Sequence, residues 1–88
     1  MKVVFHAGFN KDLDKTKDKK LAVLILQTIQ LFQQADELEE IPNVKKLKGH
    51  PNAYRYRKGI YRIGFFVENN TIIFAAFAPR GKIYRKFP

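Results

Sequence analysis

Cysteine is absent from this 88-residue sequence, so neither disulfides nor a thiolate metal site can stabilise the fold. Long apolar runs are absent as well. The longest, Ile72–Ala78, has seven residues and Leu21–Leu26 has six, whereas a helix that spans a bilayer needs about 20. The apolar start at Met1–Phe5 is too short for a signal peptide. These absences predict a soluble, unprocessed, intracellular protein without a membrane partner, and the length predicts one small domain over residues 1–88.

Acidic residues are scarce in the second half of the chain. Residues 41–88 contain eleven lysines and arginines but only one acid, Glu68, whereas residues 1–40 contain six lysines and seven acids. The second half therefore carries almost all of the net charge of +9. Charge that is concentrated on one structural unit indicates a surface that binds an anion, and RNA is the first candidate.

The first part of the sequence predicts a short strand and a polar helix. Val3–Phe5 is β-branched and aromatic, which is typical of a strand, and Gly8 is expected to end it. Asn10 is placed to cap a first helix that runs to about Asp18, with Leu13 as its main apolar contact.

A second helix is predicted from Lys19 to about Leu38, because apolar residues recur there at helical spacing. The resulting stripe can pack against a sheet. Val23, Leu26 and Ile29 lie beyond the stripe. We expect the first helix to cover these three residues, because apolar surface is usually packed. An exposed strip that binds a protein partner is the alternative.

Three strands are predicted in the second half, at about Ala53–Lys58, Ile60–Glu68 and Thr71–Ala78. The dipeptides Lys58-Gly59 and Asn69-Asn70 fit two-residue hairpin turns, because Gly and Asn tolerate a positive φ. The predicted fold is α+β. It has a short N-terminal strand at a sheet edge and a two-helix hairpin on one face of a small antiparallel sheet, which is built from this C-terminal three-strand meander.

Strand alternation places arginines together on one face of this sheet. With Lys58-Gly59 as the turn, Arg55 lies opposite Arg62 and Arg57 lies beside them. A three-residue turn would split the apolar residues between both faces, which burial disfavours. Facing like charges reduce stability, so we expect an anion to bind there. The alternative is that the guanidinium groups spread into solvent at little cost.

The second hairpin, with Asn69-Asn70 as its turn, pairs Ile63 with Ala76 and Tyr61 with Ala78. This register also places four apolar residues on the arginine face: Phe66, Ile73, Ala75 and Phe77. We expect residues 80–88 to cover them. Such a cover brings three further side chains towards the arginines: Arg80, Tyr84 and Arg85. A basic pocket edged by tyrosine can hold a phosphate and stack a base.

Two segments of the second half resemble a known family. They are Val44-Lys45-Lys46-Leu47-Lys48-Gly49 and Tyr54-Arg55-Tyr56-Arg57-Lys58-Gly59-Ile60-Tyr61-Arg62-Ile63, followed by Arg80 and Ile83-Tyr84. In these residues, and in the order of its elements, nearly the whole chain resembles the RelE/ParE superfamily of bacterial toxins. The resemblance implies a cytoplasmic toxin of a type II toxin–antitoxin system, held inactive by a cognate acidic antitoxin.

RelE-like members cut messenger RNA in the ribosomal A site, without metal or other cofactor, by attack of the ribose 2′-hydroxyl on the neighbouring phosphate. The resemblance therefore implies an endoribonuclease whose further partners are the ribosome and its messenger RNA. Three residues are the catalytic candidates: Arg62, Arg80 and Tyr84. Five residues are the candidates for substrate binding: Arg55, Arg57, Lys46, Lys48 and Arg85.

Two departures from the family pattern leave other functions open. Arg55 and Arg57 stand where RelE-like members have lysines, and arginine is a poor base because it stays protonated. Pro79-Arg80 stands where many relatives have His-Arg, so a catalytic imidazole is missing there. His50 is expected in an exposed loop with a structural role, with general base as the alternative. The alternative functions are a ParE-like toxin that poisons DNA gyrase and a basic RNA-binding module without catalytic power.

Overall fold

A computed structural model describes all residues, 1–88. Its elements, in chain order, are β1 (Lys2–Phe5), α1 (Ala7–Lys15), α2 (Lys19–Gln34), a short 3₁₀ turn (Leu38–Glu40), β2 (Val44–Lys46), β3 (Ala53–Lys58), β4 (Tyr61–Glu68), β5 (Thr71–Pro79) and α3 (Ile83–Lys86). None of the helices has the length and apolar character that a membrane span requires.

The five strands form one sheet in the order β1-β5-β4-β3-β2. The predicted α+β class is confirmed, with the C-terminal meander at its centre and the N-terminal strand at an edge. The sheet is mixed rather than purely antiparallel, because β1 runs parallel to β5. It also has an unpredicted edge strand, β2, which pairs antiparallel with β3.

The first helix begins earlier than predicted. His6, not Asn10, is its N-cap, and the His6 imidazole accepts a hydrogen bond from the Gly8 amide at 3.4 Å. The early start carries Phe9 into the core, where it is fully buried. Burial of this large side chain is worth about 1.5–3 kcal/mol, which outweighs the capping preference that favoured Asn10. The second helix begins as predicted and is capped by Asp18.

The two helices cover one face of the sheet with an aromatic core. Phe32 of α2 is fully buried, and its ring lies 5.0–5.5 Å from the rings of Tyr56, Phe65 and Phe74 in edge-on geometry. Phe9 of α1 stacks on Phe74 at 5.6 Å. Such aromatic pairs add stability beyond the area that they bury. This core fixes the sheet from one side and leaves the other face for the remaining chain.

The outer flank of α2 is not covered as predicted. Val23 and Leu26 are 51% and 56% exposed, while Ile29 is partly buried against the core. The first helix is short and packs on β5 rather than alongside α2. The expectation that α1 covers the whole flank is therefore wrong for Val23 and Leu26.

The turn of the first hairpin lies one residue later than predicted. Lys58 pairs with Tyr61, so the two turn residues are Gly59, with φ +57°, and Ile60. Arg57 rather than Arg55 therefore lies opposite Arg62. The predicted pairing is wrong by two residues. Because side chains alternate with a period of two, the arginines nevertheless stay on one face.

The second hairpin follows the predicted register only as far as Phe65, which pairs with Phe74. A β-bulge then leaves Ala75 without a partner, and Gly64 pairs with Ala76 and Ile63 with Phe77. The predicted Ile63–Ala76 and Tyr61–Ala78 pairs are therefore wrong, as is the placement of Phe77 on the arginine face. A bulge shifts one strand by a residue, and here it turns Phe77 into the main core against Phe9.

The C-terminal segment covers the other face of the sheet, as predicted. It forms α3, and Ile83 and Phe87 are buried in a second cluster floored by small residues: Ala53, Ala76 and Ala78. The bulge supplies two of these alanines. A Cβ on Gly64 would lie 2.3 Å from the Phe87 ring, so only glycine leaves room for that ring at this position.

Candidate functional site

A basic cavity of about 430 Å³ lies on the sheet face opposite α1 and α2, beside α3. We call it the arginine cavity. Its eight lining residues come from β2 and the residue before it (Asn43, Val44, Lys45), from β3 (Arg55, Arg57), from β4 (Arg62), and from the chain after β5 (Arg80, Tyr84). Five cations and no acid line this space, so the field inside it favours an anion.

Arg62 lies at the centre of the cluster. One of its terminal nitrogens donates hydrogen bonds to the carbonyls of Gly59 and Tyr61, both at 2.9 Å, and these bonds orient the guanidinium. Desolvation and then repulsion from Arg80, Arg57 and Arg55 lower the pKa of Arg62. A lowered arginine pKa means that the charged form is disfavoured by its surroundings. A bound anion would relieve that repulsion.

No carboxylate neutralises the arginines. The single ion pair of the protein joins Lys86 to Asp12 at 3.1 Å, on the side of α3 that faces α1. Arg57 contacts only a neutral group, the side-chain oxygen of Asn43, at 3.4 Å. The guanidinium groups therefore face the cavity without a counter-charge from the chain itself, which agrees with the predicted anion site.

Tyr84 forms one wall of the arginine cavity. Its side chain is 69% exposed, and the guanidinium carbon of Arg55 lies 4.9 Å from its ring centroid. The adjacent Arg55 guanidinium, with smaller contributions from Lys45 and Arg80, lowers the pKa of Tyr84. The phenol therefore releases its proton more readily than an isolated tyrosine, and its exposed ring surface can stack on a base.

The position of Tyr84 depends on how α3 is held. Ile83, the residue before it, is fully buried, and Phe87 packs on Gly64 and, at 5.0 Å between ring centroids, on Phe66. Lys86 adds the exposed ion pair to Asp12. The helix has only four residues, too few to be stable alone. Packing of two side chains into the small-residue cluster therefore places Tyr84 beside Arg55.

A second and larger cavity of about 840 Å³ adjoins the first. We call it the loop cavity, because residues 45–51 form one side of it and the end of the chain, Phe87 and Pro88, forms the other. Three residues line both cavities: Lys45, Arg55 and Tyr84. The two cavities are therefore neighbouring parts of one basic surface.

The structure brings most of the predicted residues together. All three catalytic candidates, Arg62, Arg80 and Tyr84, line the arginine cavity with Arg55 and Arg57. Lys46 and Lys48 line the loop cavity instead. Arg85 is exposed and lines neither cavity.

Sequence reasoning did not place two residues of the arginine cavity, Lys45 and Asn43, beside the arginines. Lys45 pairs with Arg55 across β2 and β3, so the two side chains share a face, whereas Lys46 pairs with Tyr54 on the helix-covered side. The missing signal was β2 itself, since alternation along this strand selects Lys45. Asn43 has a positive φ of 63° and accepts a backbone hydrogen bond from Arg57 at 3.0 Å.

The remaining polar candidates lie outside the arginine cavity. His50 is exposed, as predicted, and lines the loop cavity. Glu68 accepts a hydrogen bond from the side chain of Asn52 at 3.1 Å. No three His, Asp or Glu side chains lie close enough together to hold a metal ion.

Comparison with known proteins agrees with this architecture. The chain is 40% identical over 90 residues, covering all of both chains, to Toxin RelE3 of Methanocaldococcus jannaschii. It is similar, with a TM-score of 0.78 and 36% identity, to the toxin in a RelB-RelE antitoxin-toxin complex from Methanococcus jannaschii, and this match covers 97% of the present chain and 99% of the other. No family model matches the sequence.

A third similarity is to an archaeal RelE-RelB complex from Pyrococcus horikoshii OT3, with a TM-score of 0.72 and 26% identity over 92% of this chain and 96% of that one. Full-length identity of 40%, together with the shared fold, establishes the relationship. The chain belongs to the RelE family of toxins, as the sequence resemblance predicted.

Proposed function

We propose that this toxin stops translation by cutting messenger RNA in the ribosomal A site, and that the arginine cavity holds the phosphate at which the chain is cut. The observation that carries the proposal is the convergence of Arg55, Arg57, Arg62 and Arg80 on one cavity without a carboxylate partner. Such a cluster suits a phosphodiester whose negative charge increases in the transition state.

The proposed reaction involves the RNA, the protein and solvent water. The ribose 2′-oxygen attacks the adjacent phosphorus as its proton leaves, the bond from phosphorus to the 5′-oxygen breaks, and that oxygen takes a proton from solvent. The products are a 2′,3′-cyclic phosphate and a 5′-hydroxyl. Arg62, oriented by its two carbonyl contacts, stabilises the charge on the non-bridging oxygens.

Tyr84 is the group that we assign to accept the proton of the 2′-hydroxyl. The family's imidazole position is taken by Pro79, and His50 lines the other cavity. The pKa of Tyr84 is lowered by Arg55, so a larger fraction is present as phenolate at a given pH. Proton transfer to a positioned side chain contributes about 10²–10⁴-fold to a rate.

An acidic antitoxin is the second part of the proposal. Two of the similar structures are complexes with RelB antitoxins. The basic cavities offer charge complementarity to such a partner, and the exposed Val23 and Leu26 on α2 offer apolar contact. We propose that the antitoxin covers one or both of these surfaces in the cytoplasm, where the ribosomes are.

Induction of the toxin alone, without its antitoxin, tests the function. We expect new messenger RNA ends at translated codons, measured by primer extension, and cleavage of purified ribosome-bound message by the purified toxin. Accumulation of DNA gyrase cleavage complexes with intact messages would instead assign a ParE-like activity. Normal growth with intact messages would instead indicate an RNA-binding module without catalytic power.

The substitution Arg62→Ala gives the sharpest single test of the cavity. Removal of one electrostatic contact to a transition state costs about 10²–10³-fold in rate, so toxicity and cleavage should fall by that factor. Antitoxin binding should stay largely intact, because its contacts extend beyond one side chain. Lys58→Ala, which removes a cation outside both cavities, is the matched control. A folded Arg62→Ala protein that cuts at the normal rate would show that the cavity is assigned wrongly.

A further inference from the structure

The loop cavity has the features of a site for a nucleotide rather than for a bare phosphate. At about 840 Å³ it is roughly twice the size of the arginine cavity, and it falls in the range of about 300–1,000 Å³ that is typical of sites for small organic ligands. Lys48 and His50 line it on the loop side, as does Lys46, whose side chain lies on the helix-covered face, and no acidic side chain lines it. The loop therefore offers hydrogen-bond donors to an anionic group.

The opposite wall of the loop cavity is aromatic. Tyr84 and Phe87 both line it, but only Tyr84 is exposed and able to stack on a base, because the Phe87 ring is buried against Gly64 and Phe66. Aromatic rings beside a positively charged groove are the combination by which proteins hold single-stranded nucleic acid, because each base can stack on a ring while the backbone contacts cations. A phosphate alone has no aromatic face that could stack on this wall.

The shared residues connect the loop cavity to the proposed cleavage site. Lys45, Arg55 and Tyr84 line both cavities, so a strand whose phosphate lies among the arginines can continue past Tyr84 without leaving the basic surface. The occupant of the loop cavity is then the next nucleotide of the same RNA chain. This argument rests on the proposed function.

The loop is held in place before any ligand binds. The Leu47 amide donates to the Ala53 carbonyl at 2.9 Å, the His50 amide donates to the Leu47 carbonyl at 3.3 Å, and Asn52 is tied to Glu68 at 3.1 Å. Leu47 also packs against the small-residue cluster under α3. A preformed loop loses little conformational freedom on binding, which favours affinity.

We propose that the loop cavity is a second nucleotide subsite, in which Lys48 and His50 contact a nucleotide that flanks the two nucleotides joined by the linkage that is cut. Contacts in this subsite add affinity and make cleavage depend on the neighbouring base. Lys48 binds the phosphate and His50 the base or sugar.

The test uses short RNA in which every 2′-hydroxyl is methylated, so that the attacking group is blocked. A dinucleotide and a tetranucleotide are titrated into the isotope-labelled toxin, and the amide signals are followed by NMR. The dinucleotide should perturb signals near Arg57 and Arg62 only. The tetranucleotide should also perturb Gly49 and His50 and bind about tenfold more tightly, because the additional nucleotide stacks its base and contacts Lys48 and His50.

Substitutions in the loop test whether it contributes to RNA binding independently of the arginine cavity. Lys48→Ala and His50→Ala should each remove part of the tenfold gain and leave dinucleotide binding unchanged. Lys48→Ala should also reduce the salt slope of tetranucleotide binding by about 0.7. Lys58→Ala, which changes the same charge outside both cavities, should leave the gain intact.

The outcomes are distinguishable from those for the proposed function, because this test involves neither ribosomes nor cleavage. If the tetranucleotide perturbs both cavities but the protein cuts no messenger RNA, the subsite is supported and the nuclease proposal is not. Equal affinity and identical shift maps for the two oligonucleotides would overturn the subsite, even if cells show cleavage. It is also overturned if Lys48→Ala and His50→Ala weaken antitoxin binding but not tetranucleotide binding, which would assign the cavity to an acidic protein segment.

Discussion

The two faces of the sheet are built from different kinds of residue. Under α1 and α2 lies a core of large side chains, with Phe9, Phe32, Phe65 and Phe74 all fully buried. Under α3 lies a cluster floored by alanines and a glycine, into which the chain end inserts two side chains, and beside it the unpaired arginines surround a cavity.

We interpret this difference as a division between one face that stabilises the fold and another that carries the proposed site. The helix-covered face has the buried area that folding requires, so the other face can carry repelling cations and a loosely attached terminal helix. Functional elements are commonly drawn from the less stable parts of a protein. Four substitutions test whether the two faces divide these roles.

The largest effect is expected for Phe32→Ala in the aromatic core. This change removes three ring contacts and leaves a cavity, so the free energy of unfolding should fall by about 3–5 kcal/mol, measured by urea denaturation. Leu26→Ala on the exposed flank of the same helix should change it by less than about 0.5 kcal/mol. Similar losses for both variants would contradict the assignment of stability to this face.

Tyr84→Phe should remove about 10²-fold or more from the cleavage rate with little change in stability, because the hydroxyl is exposed. The lowered pKa of Tyr84 fixes the sign of the pH dependence. Below this pKa the phenolate fraction grows with pH, so the wild-type rate should rise with pH and level off earlier than for an ordinary tyrosine. Single-turnover cleavage of ribosome-bound message between about pH 6 and 9 measures it.

The control for this profile is Tyr54→Phe, a change on the helix-covered face where Tyr54 stacks on Phe65. That variant should keep the wild-type profile. A wild-type rate that is independent of pH, or a Tyr84→Phe protein with an unaltered profile, would show that Tyr84 takes no part in proton transfer.

Gly64→Ala tests whether packing under α3 positions the site. The new methyl group overlaps the Phe87 ring, and such overpacking costs about 1–3 kcal/mol. Displacement of Phe87 should move Tyr84 away from Arg55, so its pKa should return towards 10, measured by absorbance titration of the phenolate. Gly81→Ala, where nothing lies within 4 Å of the added Cβ, is the control. A folded Gly64→Ala protein with an unshifted Tyr84 would show that α3 is held by other contacts.

The smallest effect is expected for Arg57→Gln, and its direction is opposite to that of the others. Arg57 faces Arg62 directly, and like charges on facing residues cost up to about 1 kcal/mol. Removal of this charge should raise the free energy of unfolding by a few tenths of a kcal/mol while cleavage falls. Lys58→Gln at the hairpin end should not stabilise the protein. A loss of stability in Arg57→Gln would show that the hydrogen bond to Asn43 outweighs the repulsion.

Much of the site was predictable from alternation along strands. The arginines of β3 and β4 share a face in the predicted register and in the observed one, because an error of two residues preserves the side on which each lies. Residues 80–88 were predicted to cover this face, because its apolar side chains would otherwise be exposed to solvent. The position of Lys45 beside the arginines was not predicted, because the short β2 has no apolar alternation and pairs only with β3.

The bulge at Gly64 and Phe65 could not be predicted from sequence periodicity. The bulge shifts β5 by one residue and has two consequences for packing. It brings Phe77 into contact with Phe9, and it places Ala76 and Ala78 on the opposite face, where they leave space for Ile83 and Phe87. The cap of α1 was mispredicted for the same kind of reason, since burial of Phe9 decided where the helix begins.

The sequence by itself determined the α+β class, the segregation of positive charge and the face on which the arginines lie, because these follow from local periodicity and composition. Only the tertiary structure decided which arginines oppose each other, where Tyr84 lies and that two cavities adjoin. Those features depend on how large side chains from distant segments fill one space, and close packing tolerates a single arrangement that no local pattern encodes.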